Sequence, residues 1–375
     1  MILPAIIGGV IIAVVLWEAF ETIVLPRRVM RRLRLTVLIY RSTWVPWRTL
    51  ARRIPKKRRR ETFLSYYGPL SLLFLFGVWA AGIIFGFALL YYSATFAGQT
   101  SRPFATCLYF SGTTMFTLGL GDVAPRTEVG RVLAVVESGL GFAFLALILS
   151  YLPVIYQAFS RREGNIVLLD ARAGSPPTAF ELLRRHAGPG GIEALDLLLR
   201  DWERWSADIL ESHVSYPVLA YFRSQHNNES WLAALTAILD ACALLIASEE
   251  NFVLRQARLT FAMCRHTVVD LAQVFRTAPR SSDLDRLPGS GLESLSDLLG
   301  RAGFHLPERE AAGQKLTELR RMYEPYLQAL AHFLSMDLPP WILAKEITDN
   351  WRTSAWGRIA GFAASGGREP DDHED

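Results

Sequence analysis

Residues 113–122 read TTMFTLGLGD. Two glycines alternate with leucines behind a threonine, and an aspartate closes the run. Such a stretch is either a tight turn between two membrane helices or a binding surface made of backbone, and the flanking sequence separates the two. Immediately upstream, residues 103–116 (PFATCLYFSGTTMF) are too short and too polar to span a bilayer, yet apolar enough to enter one. Pro103 suits the first turn of a helix. Non-helical backbone at membrane depth is tolerated only where protein or a water-filled cavity covers it. A half-helix followed by TLGLGD meets that condition.

Composition places the segment in a membrane protein. Hydrophobic residues make up 51% of the 375-residue chain and the mean hydropathy is positive. Three apolar runs are long enough to cross about 30 Å of hydrocarbon: residues 2–25, 68–92 and 132–156. The first has no basic stretch before it and no small-x-small site after it, so it reads as a retained helix and not a cleaved signal peptide. Glu18 and Glu21 fall near one end of it, where interfacial water is expected to hydrate them. The net charge of +4 hides an asymmetry. Residues 1–159 carry 17 Lys/Arg against 6 Asp/Glu, and 14 of those basic residues lie between Arg27 and Arg60 with no acid among them. That block belongs on the cytoplasmic side, which places the N-terminus outside. The second run then crosses outward and the third returns, with Arg161 and Arg162 at its cytoplasmic end. Residues 93–131, which hold TLGLGD, are left outside or re-entrant.

The two glycines permit backbone conformations that turn consecutive carbonyls to one side. A row of carbonyls repeated around a symmetry axis replaces the hydration shell of a potassium ion. One chain supplies one copy, so the ring needs about four subunits. At these residues the sequence resembles the potassium-channel superfamily, specifically its two-helix pore module, whose signature TVGYGD is here Thr117-Leu118-Gly119-Leu120-Gly121-Asp122. The likeness extends over about 68–158, including Thr113-Thr114 before the signature and Gly130-Arg131 after it. By that resemblance, Thr117, Leu118, Gly119 and Leu120 coordinate K+, while Thr114, Gly121 and Asp122 support the filter, Asp122 from behind it at the outer mouth. Leu120 departs from the pattern. An aromatic is usual there, although some members, including the second pore of two-pore channels, carry leucine. The substitution removes a phenol hydroxyl that anchors the filter to the pore helices, which bears on selectivity.

Other features have two readings each. Glu137 is the single charge within 132–156 and should face protein, because facing lipid costs several kcal/mol. It is either a carboxyl behind the filter, hydrogen-bonded to the pore helix and able to hold a proton, or a structural contact between packed helices. Gly139 and Gly141 are either close-packing surfaces or, with Gly141 where the family's inner helix often bends, a hinge. Pro153 removes one helical hydrogen bond. If Gly141 bends, Leu145 and Leu149 follow at helical spacing, and an apolar constriction near Leu149 or Pro153 is the candidate gate. Arg28, Arg31 and Arg34 have the three-residue spacing of a voltage sensor, but their surroundings are too polar to insert. The block containing Arg27, Arg28, Arg31, Arg32, Arg34, Arg52 and Arg53, interleaved with Trp44 and Trp47, reads instead as an interfacial helix on anionic inner-leaflet lipid, or simply as a topology determinant.

The remainder carries 23 Lys/Arg against 30 Asp/Glu. Residues 164–174 (GNIVLLDARAG) read as a short strand, and helices are expected over 178–187, 191–223, 230–248, 251–275, 291–302 and 308–336. The apolar run 231–247 reads as a buried bundle helix because it is short and contains Asp240. No strand-linked GxGxxG points to a nucleotide, no CxxC or HExxH spacing points to a metal, and nothing points to nucleic acid.

The expected fold is an all-α membrane protein with three transmembrane helices, a re-entrant pore helix and filter, and a helical cytoplasmic domain. Its boundaries are a first span at 1–25, a basic loop at 26–67, a pore module at 68–158, a cytoplasmic domain at 159–361 and a disordered tail at 362–375. Within the pore module lie an outer helix at 68–92, a pore helix at 103–116, a filter at 117–122 and an inner helix at 129–158. The expected activity is passive K+ permeation by a plasma-membrane homotetramer, with no enzyme chemistry, no organic cofactor and an unidentified cytoplasmic ligand or partner. The alternatives are a weakly selective cation channel and a membrane-anchored signalling or scaffold protein with an inert pore.

Overall fold

The computed structural model describes residues 2–25, 35–94, 103–225, 228–248, 253–281, 285–304 and 309–343. The expectations for Arg27, Arg28, Arg31, Arg32 and Arg34 and for the tail at 362–375 lie outside the described residues. The described chain is helical, with no strand among those residues, and divides into two compact units, Met1–Phe159 and Ser160–Asp375.

The first unit is built on α1 (Ile2–Ala19), which widens into a π-helical turn at Phe20–Val24, then α2 (Leu35–Ala51), α3 (Lys57–Ser65), α4 (Tyr67–Ala94), α5 (Phe104–Met115) and most of α6 (Glu128–Ala173). Small residues let α1 and α4 approach backbone to backbone. A Cβ at Gly8 would lie 2.5 Å from the Gly86 carbonyl oxygen, and one at Gly86 would lie 2.6 Å from Ile12 Cγ1. Close packing of this kind is the main source of attraction between helices when lipid is as apolar as leucine.

Glu18 and Glu21 are not left to water, contrary to the expectation from their place near a helix end; both are buried. The Glu18 carboxylate accepts from the Leu35 and Thr36 amides (3.0 and 3.3 Å) and from the Thr36 hydroxyl (3.0 Å). It therefore caps the start of α2, whose first amides have no partner inside the helix. The Trp17 indole donates to Glu21 at 2.7 Å. Aromatic contacts then fold α2 onto α3 and α4: Trp47 stacks on Phe63 with centroids 4.5 Å apart, and the Tyr67 hydroxyl donates to the Tyr40 carbonyl.

Helix α6 runs 46 residues without a break at Gly139, Gly141 or Pro153. That is more than twice the ~20 residues a span requires. The strand expected at 164–174 does not form, because those residues continue α6 as far as Ala173. The burial pattern explains it: Arg162, Ile166, Leu169 and Ala173 are buried at intervals of three and four, the period of a helix, whereas a strand buries alternate residues. Gly174, at φ 80°, ends the helix, its amide donating to the Asp170 carbonyl.

The second unit contains the end of α6 with α7 (Ala179–Arg185), α8 (Gly191–Ser215), α9 (Trp231–Ser248), α10 (Leu254–Val274), α11 (Gly289–Arg301), α12 (Arg309–Arg321) and α13 (Glu324–Leu334). Among the described residues of the whole chain, four helical segments are long and apolar enough to cross a membrane, and α9 is one of them. Every residue of α9 is buried inside this unit, the condition of a core helix that is apolar all round. Its Asp240 accepts from the Tyr323 hydroxyl at 2.6 Å and pairs with Arg286. Two expected helices are shorter than their patterns. α8 stops at Ser215 ahead of Pro217, which opens a 3₁₀ turn. The 308–336 run divides at Met322–Tyr323, and Pro325 starts α13. Arg162 is buried too: it pairs with Glu163 at 2.9 Å and donates to the carbonyls of Leu219 (2.9 Å) and Phe222 (2.8 Å).

Candidate ion-conduction site

Helix α5 ends in a tight set of backbone bonds. The amides of Phe116, Thr117 and Leu118 donate to the carbonyls of Gly112, Thr114 and Thr113, at 3.1, 3.0 and 2.8 Å. Beyond them the sign of φ alternates: Thr117 (54°), Gly119 (61°) and Gly121 (78°) are left-handed, while Leu118 and Leu120 between them are not. Alternating hand turns successive peptide units the same way and aligns their dipoles. Space does not impose the glycines, because a Cβ at Gly119 or Gly121 would meet nothing within 4 Å. Conformation does, since a side chain resists positive φ. Thr117 adopts the same region despite its branched Cβ, at a cost of about 1–3 kcal/mol, and strain of this kind gathers at functional sites. The sequence reading assigned the special conformations to the glycines and missed Thr117, for which no residue-type signal exists.

Residues 116–122 are exposed in the single chain. Leu118 and Leu120 are 61% and 62% exposed, so backbone and apolar side chains alike lie open on this side. One side-chain bond ties the end of this segment to α5. The Tyr109 hydroxyl on α5 donates to Asp122 Oδ2 at 3.0 Å, bridging helix and loop end. Sequence reasoning did not single out Tyr109, because its partner lies 13 residues away across the end of a helix. The Thr114 hydroxyl bonds within α5, to the Phe110 carbonyl at 2.8 Å.

Helix α6 meets α5 in register. Glu137, fully buried, contacts the Ser111 hydroxyl, and the Tyr91 hydroxyl of α4 donates to its Oε2 at 2.7 Å. One turn further along each helix, a Cβ at Gly141 would lie 2.1 Å from the Met115 carbonyl oxygen. Gly141 thus seats the end of α5 directly before residues 117–122. Gly139 differs from it, with nothing within 4 Å of its position. Leu145, Leu149 and Pro153 are exposed on α6 at helical spacing with Phe142. Arg52 and Arg53 are exposed at the end of α2.

Comparison with known proteins agrees with this geometry. Residues 74–157 match the family described as "Ion channel", a stretch that runs from α4 through α5 and TLGLGD into α6. The chain therefore carries an ion-channel-family domain. It is 24% identical over 248 residues to "Uncharacterized membrane protein YdjJ" of Bacillus subtilis (strain 168), covering 62% of this chain and 71% of that protein. It is also 42% identical over 55 residues to "Two-pore potassium channel 5" of Arabidopsis thaliana, which is 15% of this chain and 14% of the plant protein's length. No solved structure matches the chain.

Proposed function

We propose that four copies of this chain form a potassium-selective channel, and that the carbonyls of Thr117, Leu118, Gly119 and Leu120, with the Thr117 hydroxyl, coordinate the permeating ion. The observation that carries the reading is the alternation of φ sign over residues 117–121 on a segment exposed in the single chain. Aligned carbonyls stripped of water stabilise a cation, and a ring of them needs copies around an axis. Exposed backbone at membrane depth also requires cover, which neighbouring subunits and the ion together supply.

In this reading α1, α4 and α6 span the plasma membrane, α5 is re-entrant, the N-terminus is outside and the second unit is cytoplasmic. The open face at Phe142, Leu145, Leu149 and Pro153 lines the cavity and closes it. Arg52 and Arg53, with the other basic residues of 27–60, lie against anionic inner-leaflet lipid. Permeation requires no catalytic residue and no organic cofactor. Tyr109 supplies from α5 the phenol tether that Leu120 does not provide, which favours selective over unselective conduction.

Gly119→Asp tests the assignment. It forces a side chain into a left-handed position and should abolish K+ flux into proteoliposomes while a tetramer persists on a native gel. Undiminished flux would remove residues 117–120 from the pathway.

A further inference from the structure

The Ser111 hydroxyl has one proton and two oxygen neighbours. Its Oγ lies 2.8 Å from the Ile84 carbonyl oxygen on α4 and within bonding distance of Glu137 Oε1 on α6. A carbonyl only accepts, and so does an ionised carboxylate. With Glu137 ionised, Ser111 could satisfy one of these oxygens, and the other contact would set acceptor against acceptor. Tyr91 gives no relief, because its hydroxyl is already directed at Oε2 of the same carboxyl. The described residues offer no compensating charge either. Glu137 has no exposed surface, and among the described residues it forms no ion pair. Buried, uncompensated carboxylates are strongly disfavoured in such a setting.

We infer that Glu137 is held as a neutral carboxylic acid that donates its own proton to Ser111 and so positions α5 between α4 and α6. The hydrogen bonds then run one way: Tyr91 hydroxyl to Glu137 Oε2, Glu137 Oε1 to Ser111 Oγ, and Ser111 hydroxyl to the Ile84 carbonyl. Every proton has one acceptor and the conflict disappears. Ser111 precedes Thr117 by six residues on the helix that leads into the candidate filter. Loss of the Glu137 proton would oblige Ser111 to release either α4 or α6, and α5 would lose one of the two hydrogen bonds that Ser111 makes to those helices. The effect on conduction rests on the channel reading above, whereas the protonation itself does not.

Infrared spectroscopy of the full-length protein in lipid at neutral pH, with glutamate isotopically labelled at the carboxyl carbon, reads the protonation directly. The expected result is a protonated-carboxyl C=O band that shifts on exchange into D2O and is absent from Glu137→Gln. Its frequency should also move in Ser111→Ala, a variant that keeps the carboxyl and loses its acceptor. A Glu137 signal confined to the carboxylate region would overturn the inference. K+ flux tests the positioning role separately. Glu137→Gln, whose amide accepts from Tyr91 and donates to Ser111 in the same sense, should keep most of the flux, and Glu137→Leu should lose most of it. Equal flux in the two variants would overturn that role.

Discussion

Replacing Gly141 by alanine adds one methyl group at the tightest contact between α5 and α6. The new Cβ would stand 2.1 Å from the Met115 carbonyl oxygen and 2.9 Å from its carbon, where ordinary contact begins at 3.4 Å. Both offending atoms are backbone, so no side chain can swing away, and one helix must move by about an ångström. Overpacking of this kind costs about 1–3 kcal/mol. At Gly139, two residues earlier on the same helix, the space within the subunit is open, and alanine should stabilise the helix by about 0.5–1 kcal/mol. The two variants should therefore lie about 1.5–4 kcal/mol apart, in opposite directions from the unmodified protein. Thermal unfolding of the purified protein in detergent measures the difference, and K+ flux reports its consequence for residues 117–122. A hinge at Gly141 gives a different outcome: Gly141→Ala would fold as well as the unmodified protein and only open less. Equal stability of the two variants would refute the packing argument.

Two further outcomes follow from other parts of the fold. In the second unit, burial first and Asp170 next push Glu229 up to about 7, with Glu163 adding to them and the Ser175 hydroxyl working against them. A raised carboxyl contributes stability that is complete below its unfolded value of 4.5 and is lost as pH rises through about 7. The unmodified protein should therefore lose thermal stability between about pH 4.5 and 7, and Glu229→Gln should flatten that loss; an unchanged slope in the variant would contradict the assignment. Tyr109→Phe deletes the tether to Asp122 and nothing else, so K+ flux should persist while the preference for K+ over Na+ falls. An unchanged preference would show that Asp122 needs no tether.

The long apolar helices α1, α4 and α6 and the short helix α5 were legible because a run of apolar residues of that length favours a helix, and Pro103 marks where α5 begins. The left-handed backbone at Gly119 and Gly121 was legible because glycine is the residue that tolerates positive φ. The features that escaped depend on groups far apart in the chain or on conformation against type. Glu18 caps a helix that starts 17 residues later, and a helix end seen alone looks like a place for water. Thr117 is left-handed although a branched residue prefers otherwise. Residues 164–174 are rich in Ile, Val and Leu, which favour strands locally, but the three-to-four-residue spacing of Ile166, Leu169 and Ala173 won once a core was available to bury them. Gly139 and Gly141 are indistinguishable by type, and only the approach of Met115 separates them.

The central claim is that residues 117–120 conduct potassium and exclude sodium. Flux of K+ and of Na+ into proteoliposomes holding the purified full-length protein, each driven by its own gradient, tests it most directly. The account predicts rapid K+ entry, little Na+ entry, and loss of both in Gly119→Asp. Comparable entry of the two ions would contradict selectivity, and no entry of either would contradict the channel.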